Sequence, residues 1–257
     1  MSKQLRIIDR LLLGISFIDQ LLDETIGAGN RAYRTGRLFW WTPPNYQGDQ
    51  LKQSIQRLLR SGYLEKRIIR GEPHLIISNK GKFRVERKFS YFKLQGRKWD
   101  GYWRLVIFDI KEKERWIRQQ LRRKLKELGF GMWQKSIYIS PHSLEEDMTE
   151  FLQEAKLFGK AYVLTARHHL LGEAKNLAEQ VWHLSELNNE YLNLEERLGE
   201  LNTLKGKSKL VEEKKICYDY SVLLTIDPCL PRELLPSNWT RPKIEKLIAE
   251  IIKQNIT

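Results

Sequence analysis

Cysteine is nearly missing from this 257-residue chain: Cys217 and Cys229 are the only two. Two cysteines in that length make no disulfide framework, which points to a reducing cytoplasm. Neither has a second pair or a histidine at ligand spacing, so both read as core residues rather than zinc ligands. Long apolar runs are missing too. Nothing approaches the roughly 20 residues needed to span a bilayer. The opening segment "MSKQLRIIDRLLLGISFIDQ" is interrupted by Asp9, Arg10 and Asp19, so it reads as neither a signal peptide nor an anchor. Acidic residues are scarce in one place only. Residues 1–99 hold 20 Lys/Arg against 8 Asp/Glu, residues 100–172 hold 13 against 10, and residues 173–257 hold 12 against 14. Nearly all of the net +13 therefore sits in the first 99 residues. Charge that uneven fits a module that binds a polyanion.

Within that basic third, Ile8, Leu11, Leu12, Ile15, Ile18 and Leu22 recur at helical spacing and predict one long amphipathic helix over residues 5–24. Pro43 and Pro44 exclude a helix nearby, while Phe39, Trp40 and Trp41 look like core. In "GDQLKQSIQRLLRSGYLEKR", Leu51, Ile55, Leu58 and Leu59 form one apolar stripe, with Asp49 as the expected N-cap and Gly62 as the C′ residue. Its opposite face carries Lys52, Gln53, Gln56, Arg57 and Arg60. Two short strands follow, near 64–69 and 75–78, joined by "RGEPH". A helix, a tight step and a basic hairpin is the order of a winged helix-turn-helix. The helix would enter the major groove of double-stranded DNA, where Gln and Arg read base edges, and Arg67, Arg70 and His74 of the hairpin would reach the flanking backbone.

The middle third begins with an apolar strand, "YWRLVIFD", at 102–109. A helix near 112–128 follows, with Ile117, Leu121, Leu125 and Leu128 inward and Arg118, Arg122 and Lys126 outward. "MWQKSIYIS" reads as strand, "SLEE" at 143–146 as a capping box opening a helix near 144–157, and "KAYVLT" as a last strand. If "GFGMWQKSIYIS" is a bent strand pair, the order is βαββαβ, a ferredoxin-like sandwich. Beyond it, Leu177, Leu184, Tyr191 and Leu198 repeat every seven residues, with Leu187 and Leu194 between them. One long helix over 173–200 carries either a coiled-coil seam or an ordinary core stripe. "NTLKGKSKLVEEKK" reads as a loop, "CYDYSVLLTI" as helix, "LPRELLPSNW" as a short helical turn between prolines, and 242–254 as a closing amphipathic helix.

The segments "DGYWRLVIFDI", "LRRKLKELGFG" and "SIYISP", with "DPCLPRELLPSNW" near the end, resemble the PaaX family of transcriptional repressors. "VIFDI" and "WQKSIYIS" also resemble CRISPR-associated protein 2, a small adaptation nuclease, whose proposed Mg²⁺ ligand at the end of the first strand matches Asp109. The two resemblances share one fold. A hard cation usually needs more than one carboxylate or several waters; a second Asp109 would have to come from a two-fold mate, and no general base is evident nearby. An Asp before a helix can simply cap it, and Asp109 reads as that cap.

The expectations are therefore an α+β protein with a winged helix-turn-helix at 1–98, a ferredoxin-like dimerisation domain at 99–171 and a helical domain at 172–257. The resemblance implies a cytoplasmic, homodimeric, DNA-binding repressor answering to a small acyl-CoA-type effector, needing no cofactor and no membrane. The competing expectation is a Mg²⁺-dependent nuclease or integration-complex subunit, with Asp109 as its metal ligand.

Overall fold

The computed structural model describes residues 9, 11, 12, 48–69, 72–89 and 93–254. Most of the helix expected over 5–24, and the Pro43-Pro44 segment, lie outside them. The chain divides into two compact units. One comprises 1–87, 189–226 and 240–257, the other 88–188 and 227–239, so both draw on the C-terminal third.

The second unit is built on a four-stranded sheet: β3 (Tyr102–Phe108), β4 (Gly131–Gln134), β5 (Ile137–Ser140) and β6 (Ala161–Arg167), in spatial order β4-β5-β3-β6. All neighbouring pairs are antiparallel. Helices α3 (Arg115–Glu127) and α4 (Glu145–Glu154) complete the βαββαβ order, which is the ferredoxin-like topology expected. "GFGMWQKSIYIS" is indeed a bent strand pair, with its register shifting between Met132 and Gln134.

Alternation along β3 explains the two cores. Val106 and Phe108 point to the α3/α4 side, where they meet Leu121, Leu125, Tyr138, Met148 and Leu152. Trp103 and Leu105 point to the other side and meet Ile139, Leu177, Val181, Leu230 and Leu234. The prolines of "DPCLPRELLPSNW" frame a short 3₁₀ turn at Arg232–Leu234, and Leu234 with the flanking Leu230 and Leu235 seals that second core.

Three local expectations are corrected here. "SLEE" does not close a capping box, since α4 starts at Leu144 with no side-chain cap. Ser143 instead turns its hydroxyl to Glu145, 3.0 Å away, because both serve the buried Arg104. The helix over 173–200 is two helices, α5 (Ala174–Trp182) and α6 (Leu184–Glu200). His183 adopts left-handed φ +51° and ends the first, while the Glu179 carboxylate accepts the Ser185 N–H at 3.0 Å near the start of the second. Finally, "KGKSKLVEEKK" is no loop: α7 runs Gly206–Leu223.

In the first unit, Tyr191 of α6 lies 6.3 Å from Tyr220 of α7, ring to ring. Arg197 reaches Glu212 and Asp219, each at 2.8 Å. Helix α8 (Arg241–Gln254) buries Ile244, Ile248 and Ile251. All six residues of the seven-residue stripe are buried within the chain. That stripe is intramolecular core and is not free to pair with a second copy. Cys217 and Cys229 are buried and unbridged.

Candidate nucleic-acid interface

The basic module opens with α1 (Gly48–Arg60), then β1 (Leu64–Ile69), β2 (Glu72–Ile77) and α2 (Asn79–Lys88). Asp49 lies inside the first turn of α1 rather than capping it. Its charge still suits the positive end of the helix dipole, as Arg57 and Arg60 suit the other end. Ile55 and Leu58 are buried, while Lys52, Gln53, Gln56, Arg57 and Arg60 are all exposed. Gln53, Gln56, Arg57 and Arg60 follow the i, i+3, i+4, i+7 spacing that puts side chains on one face.

Why this face is held in place is visible at the helix end. Gly62, at φ +70°, lets the chain reverse. The Gly62 N–H then donates to Leu59 and the Tyr63 N–H to Leu58, at 3.0 and 2.9 Å, satisfying the last carbonyls of α1. The next helix clasps this turn. Ser78 donates its hydroxyl to the Gly62 carbonyl at 2.6 Å and accepts the Gly81 N–H at 3.1 Å, so it both ties the turn and caps α2. Lys80 Nζ donates to the Ser61 carbonyl at 2.8 Å. A Cβ on Gly81 would sit 2.3 Å from the Tyr63 carbonyl oxygen, so only glycine allows this approach. Arg84 donates to the Tyr63 hydroxyl at 3.0 Å and pairs with the buried Asp9 at 2.9 Å. Neither α2 nor this clasp was anticipated from the sequence; "SNKG" after a strand was the available sign.

The hairpin has the expected antiparallel register, with Arg67 opposite His74 and β2 starting earlier than expected, at Glu72. The side chains of Arg67 and His74, and all of Arg70, lie outside the described residues.

Two family descriptions match the chain: the PaaX protein central Cas2-like domain over residues 96–178 and the PaaX-like protein C-terminal domain over 182–256. Together they cover more than half of its length. The chain belongs to the PaaX family. It is 26% identical over 216 residues to the transcriptional repressor PaaX of Escherichia coli strain K12, a match spanning 79% of this chain and 68% of that one. Its fold is similar to the uncharacterized protein Rv0674 from Mycobacterium tuberculosis, with a TM-score of 0.58 and 20% identity over 95% of this chain and 97% of that chain.

Within this PaaX-family protein, Asp109 does not do what the sequence suggested. It is exposed, and its backbone N–H donates to the Lys160 carbonyl at 2.9 Å. The 3₁₀ turn Glu112–Glu114 has Lys111 at its N-cap position and α3 has Glu114, neither with a side-chain cap hydrogen bond. The cap reading is therefore wrong, because five residues separate Asp109 from the first residue of α3, Arg115. Strand register also separates Asp109 from the nearest histidines in sequence after it, His142 and His168. Ser140 pairs with Arg104 and Arg167 with Tyr102, which puts His142 and His168 at the end of β3 opposite Asp109. Among the described residues no group of three or more His, Cys, Asp or Glu could hold a metal ion.

His142 is itself buried, and the Cys229 backbone is the hydrogen-bonding group that faces it. Burial, helped by the nearby positive charges of Arg97 and Arg104, lowers its pKa to about 4. Arg104 is the charged centre of this end of the sheet. It donates to Glu145, Asp100 and Ser143 and to the carbonyls of Tyr102 and Pro141. Its hydrogen bond holds the Asp100 carboxyl below its usual pKa. Among the described residues no helix is long and apolar enough to cross a membrane.

Proposed function

We propose that this protein is a sequence-specific DNA-binding transcriptional regulator, a repressor of the PaaX type that acts as a cytoplasmic homodimer. The observation that carries the reading is α1. Its outward row of Lys52, Gln53, Gln56, Arg57 and Arg60 is exposed, Ile55 and Leu58 of its inward row are buried, and its end is clasped by α2. A rigid helix showing Gln and Arg has the donors and acceptors that base edges in the major groove require. Arg67, Arg70 and His74 would add backbone contacts from the hairpin. The similarity to the E. coli repressor supports the regulatory role.

Repression needs only occupancy of a site, so no cofactor and no chemical step enter the mechanism. Gln56 and Arg57 hydrogen-bond bases; Lys52 and Arg60 neutralise phosphates at either end of α1. Two copies on a two-fold-symmetric operator would read two half-sites a helical turn, or a multiple of one, apart. A small acyl-CoA-type effector would release them, by the family resemblance; no residue is assigned to it.

The test is selection of bound sequences from a random duplex library by the full chain in EDTA. Enrichment of an inverted repeat supports the reading. Absence of any enriched sequence, or cleavage of the library when Mg²⁺ is added, overturns it in favour of the nuclease alternative.

A further inference from the structure

The two helices on one side of the ferredoxin-like sheet carry opposite charge. Helix α4 holds five acidic residues and no Lys or Arg, whereas residues 111–127, leading into and through α3, hold eight Lys/Arg against three Glu. Two ion pairs within this segment neutralise part of the excess, Arg118 with Glu112 at 2.5 Å and Arg123 with Glu127 at 3.9 Å, while its third acid, Glu114, is taken by Lys160 from outside the segment at 2.5 Å. The Arg123–Glu127 pair is long, and both partners are well exposed.

With Leu121 and Leu125 buried, the exposed outward row of α3 is Arg115, Gln119, Arg123 and Lys126. It extends about 16 Å along the helix at 1.5 Å per residue. Arg122, at the edge of this row, is half-buried and engaged within the fold, donating to the Lys135 carbonyl at 2.6 Å and lying 5.9 Å from the Phe108 ring centre, so it is not counted in the surface. Beside this row stands Trp116, 62% exposed, an uncommon place for an indole on a helix otherwise packed correctly. An exposed aromatic among exposed cations in excess of their acidic neighbours is the composition of a surface that meets a sugar–phosphate backbone, whereas a merely solvated face does not need the tryptophan.

We infer that the outward face of α3 is a second DNA-contact surface, which grips the phosphate backbone without reading sequence. This rests on the DNA-binding reading of α1 and extends it. The acidic α4 would be repelled from the same polyanion, so the unit can lie on the duplex only one way round. Because phosphate contacts carry no base information, α3 adds affinity and salt dependence and leaves sequence preference to α1.

The experiment uses the full chain and fluorescence anisotropy with a 30-base-pair random duplex, titrated with salt. Arg115→Gln, Arg123→Gln and Lys126→Gln are combined in one variant. A control variant combines Lys175→Gln, Lys205→Gln and Lys246→Gln, three exposed lysines elsewhere, for the same loss of net charge. Each phosphate contact contributes about 0.9 to the log–log salt slope, so the α3 variant should lose about 2–3 from it and bind at least tenfold more weakly. The control should keep the wild-type slope, and the α3 variant should keep the wild-type ratio of specific to random binding. An unchanged slope in the α3 variant, or an equal loss in the control, overturns the α3 surface while leaving α1 untouched. If the wild-type chain binds no duplex at all, both readings fail together. Circular dichroism of the α3 variant should match wild type, since all three side chains are exposed.

Discussion

Arg104 Nε lies 2.6 Å from Glu145 Oε1, tying β3 to the first turn of α4 through a guanidinium that is only 5% exposed. Burial works against the Glu145 charge, yet the Arg104 hydrogen bond and charge, a backbone N–H and the Ser143 hydroxyl together outweigh it and hold that carboxyl below its usual pKa. Glu145 and Asp100 can be partly rehydrated if Arg104 is lost. Arg104→Ala should therefore cost about 2 kcal/mol, less than the 3–5 typical of breaking a fully buried pair. Arg104→Lys should recover little, because a single ammonium cannot serve two carboxylates and two carbonyls in a planar fork. Urea unfolding of both variants measures this; a lysine variant as stable as wild type would count against the fork.

His142 makes the fold sensitive to acid. Its folded pKa is about 4 against the ordinary 6.5 of an imidazole, so between those values the unfolded chain binds a proton that the folded chain refuses. Stability is complete above about pH 6.5 and falls as pH drops toward 4, by up to about 3 kcal/mol at 1.36 kcal/mol per unit. Asp100 and Glu145, both depressed, lose their contribution as pH falls through their folded pKa values, in the same direction. His142→Phe, which cannot charge, should show a shallower decline of melting temperature between pH 6.5 and 4. A slope equal to wild type would remove His142 from the account.

Gly81→Ala tests the clasp behind α1. The obstacle is a backbone carbonyl 2.3 Å from the new Cβ, not a side chain that can swing away. Destabilisation of about 1–3 kcal/mol is expected from such overpacking. DNA affinity should fall even though no DNA-facing residue has changed. A variant with unchanged melting and unchanged binding would mean that α2 does not hold α1.

Asp109→Ala should leave stability within about 0.5 kcal/mol of wild type, as is usual for an exposed site without specific partners. A loss near 1 kcal/mol would restore the capping role. Mg²⁺-dependent cleavage by the pure protein that disappears in this variant would falsify the regulator reading.

How far the sequence could be read depended on the range of the forces involved. The βαββαβ order was legible because Val106, Phe108, Leu121 and Leu125 follow strand and helix periods without interruption. The α1 face was legible for the same reason. Capping was not. Ser143 and Glu145 have the residues of a box, but Arg104, some 40 positions away in sequence, competes for both and wins. The break at His183 was hidden because Leu177 and Leu184 keep the seven-residue spacing straight across it. Asp109 misled because the sequence shows an acid ahead of a helix and not the intervening turn. The missed α2 has Ser78 as its cap, a residue that read equally well as the end of a strand.

The most direct test of the central claim compares two α1 variants on two DNAs. Gln56→Ala and Arg57→Ala in the full chain would be measured by anisotropy, against the duplex selected from the random library and against a scrambled duplex of equal length. Each should lose about 1–3 kcal/mol on the selected site, the range for a lost bidentate base contact, and far less on the scrambled one. Equal losses on both duplexes, or none on either, would contradict α1 as the reader.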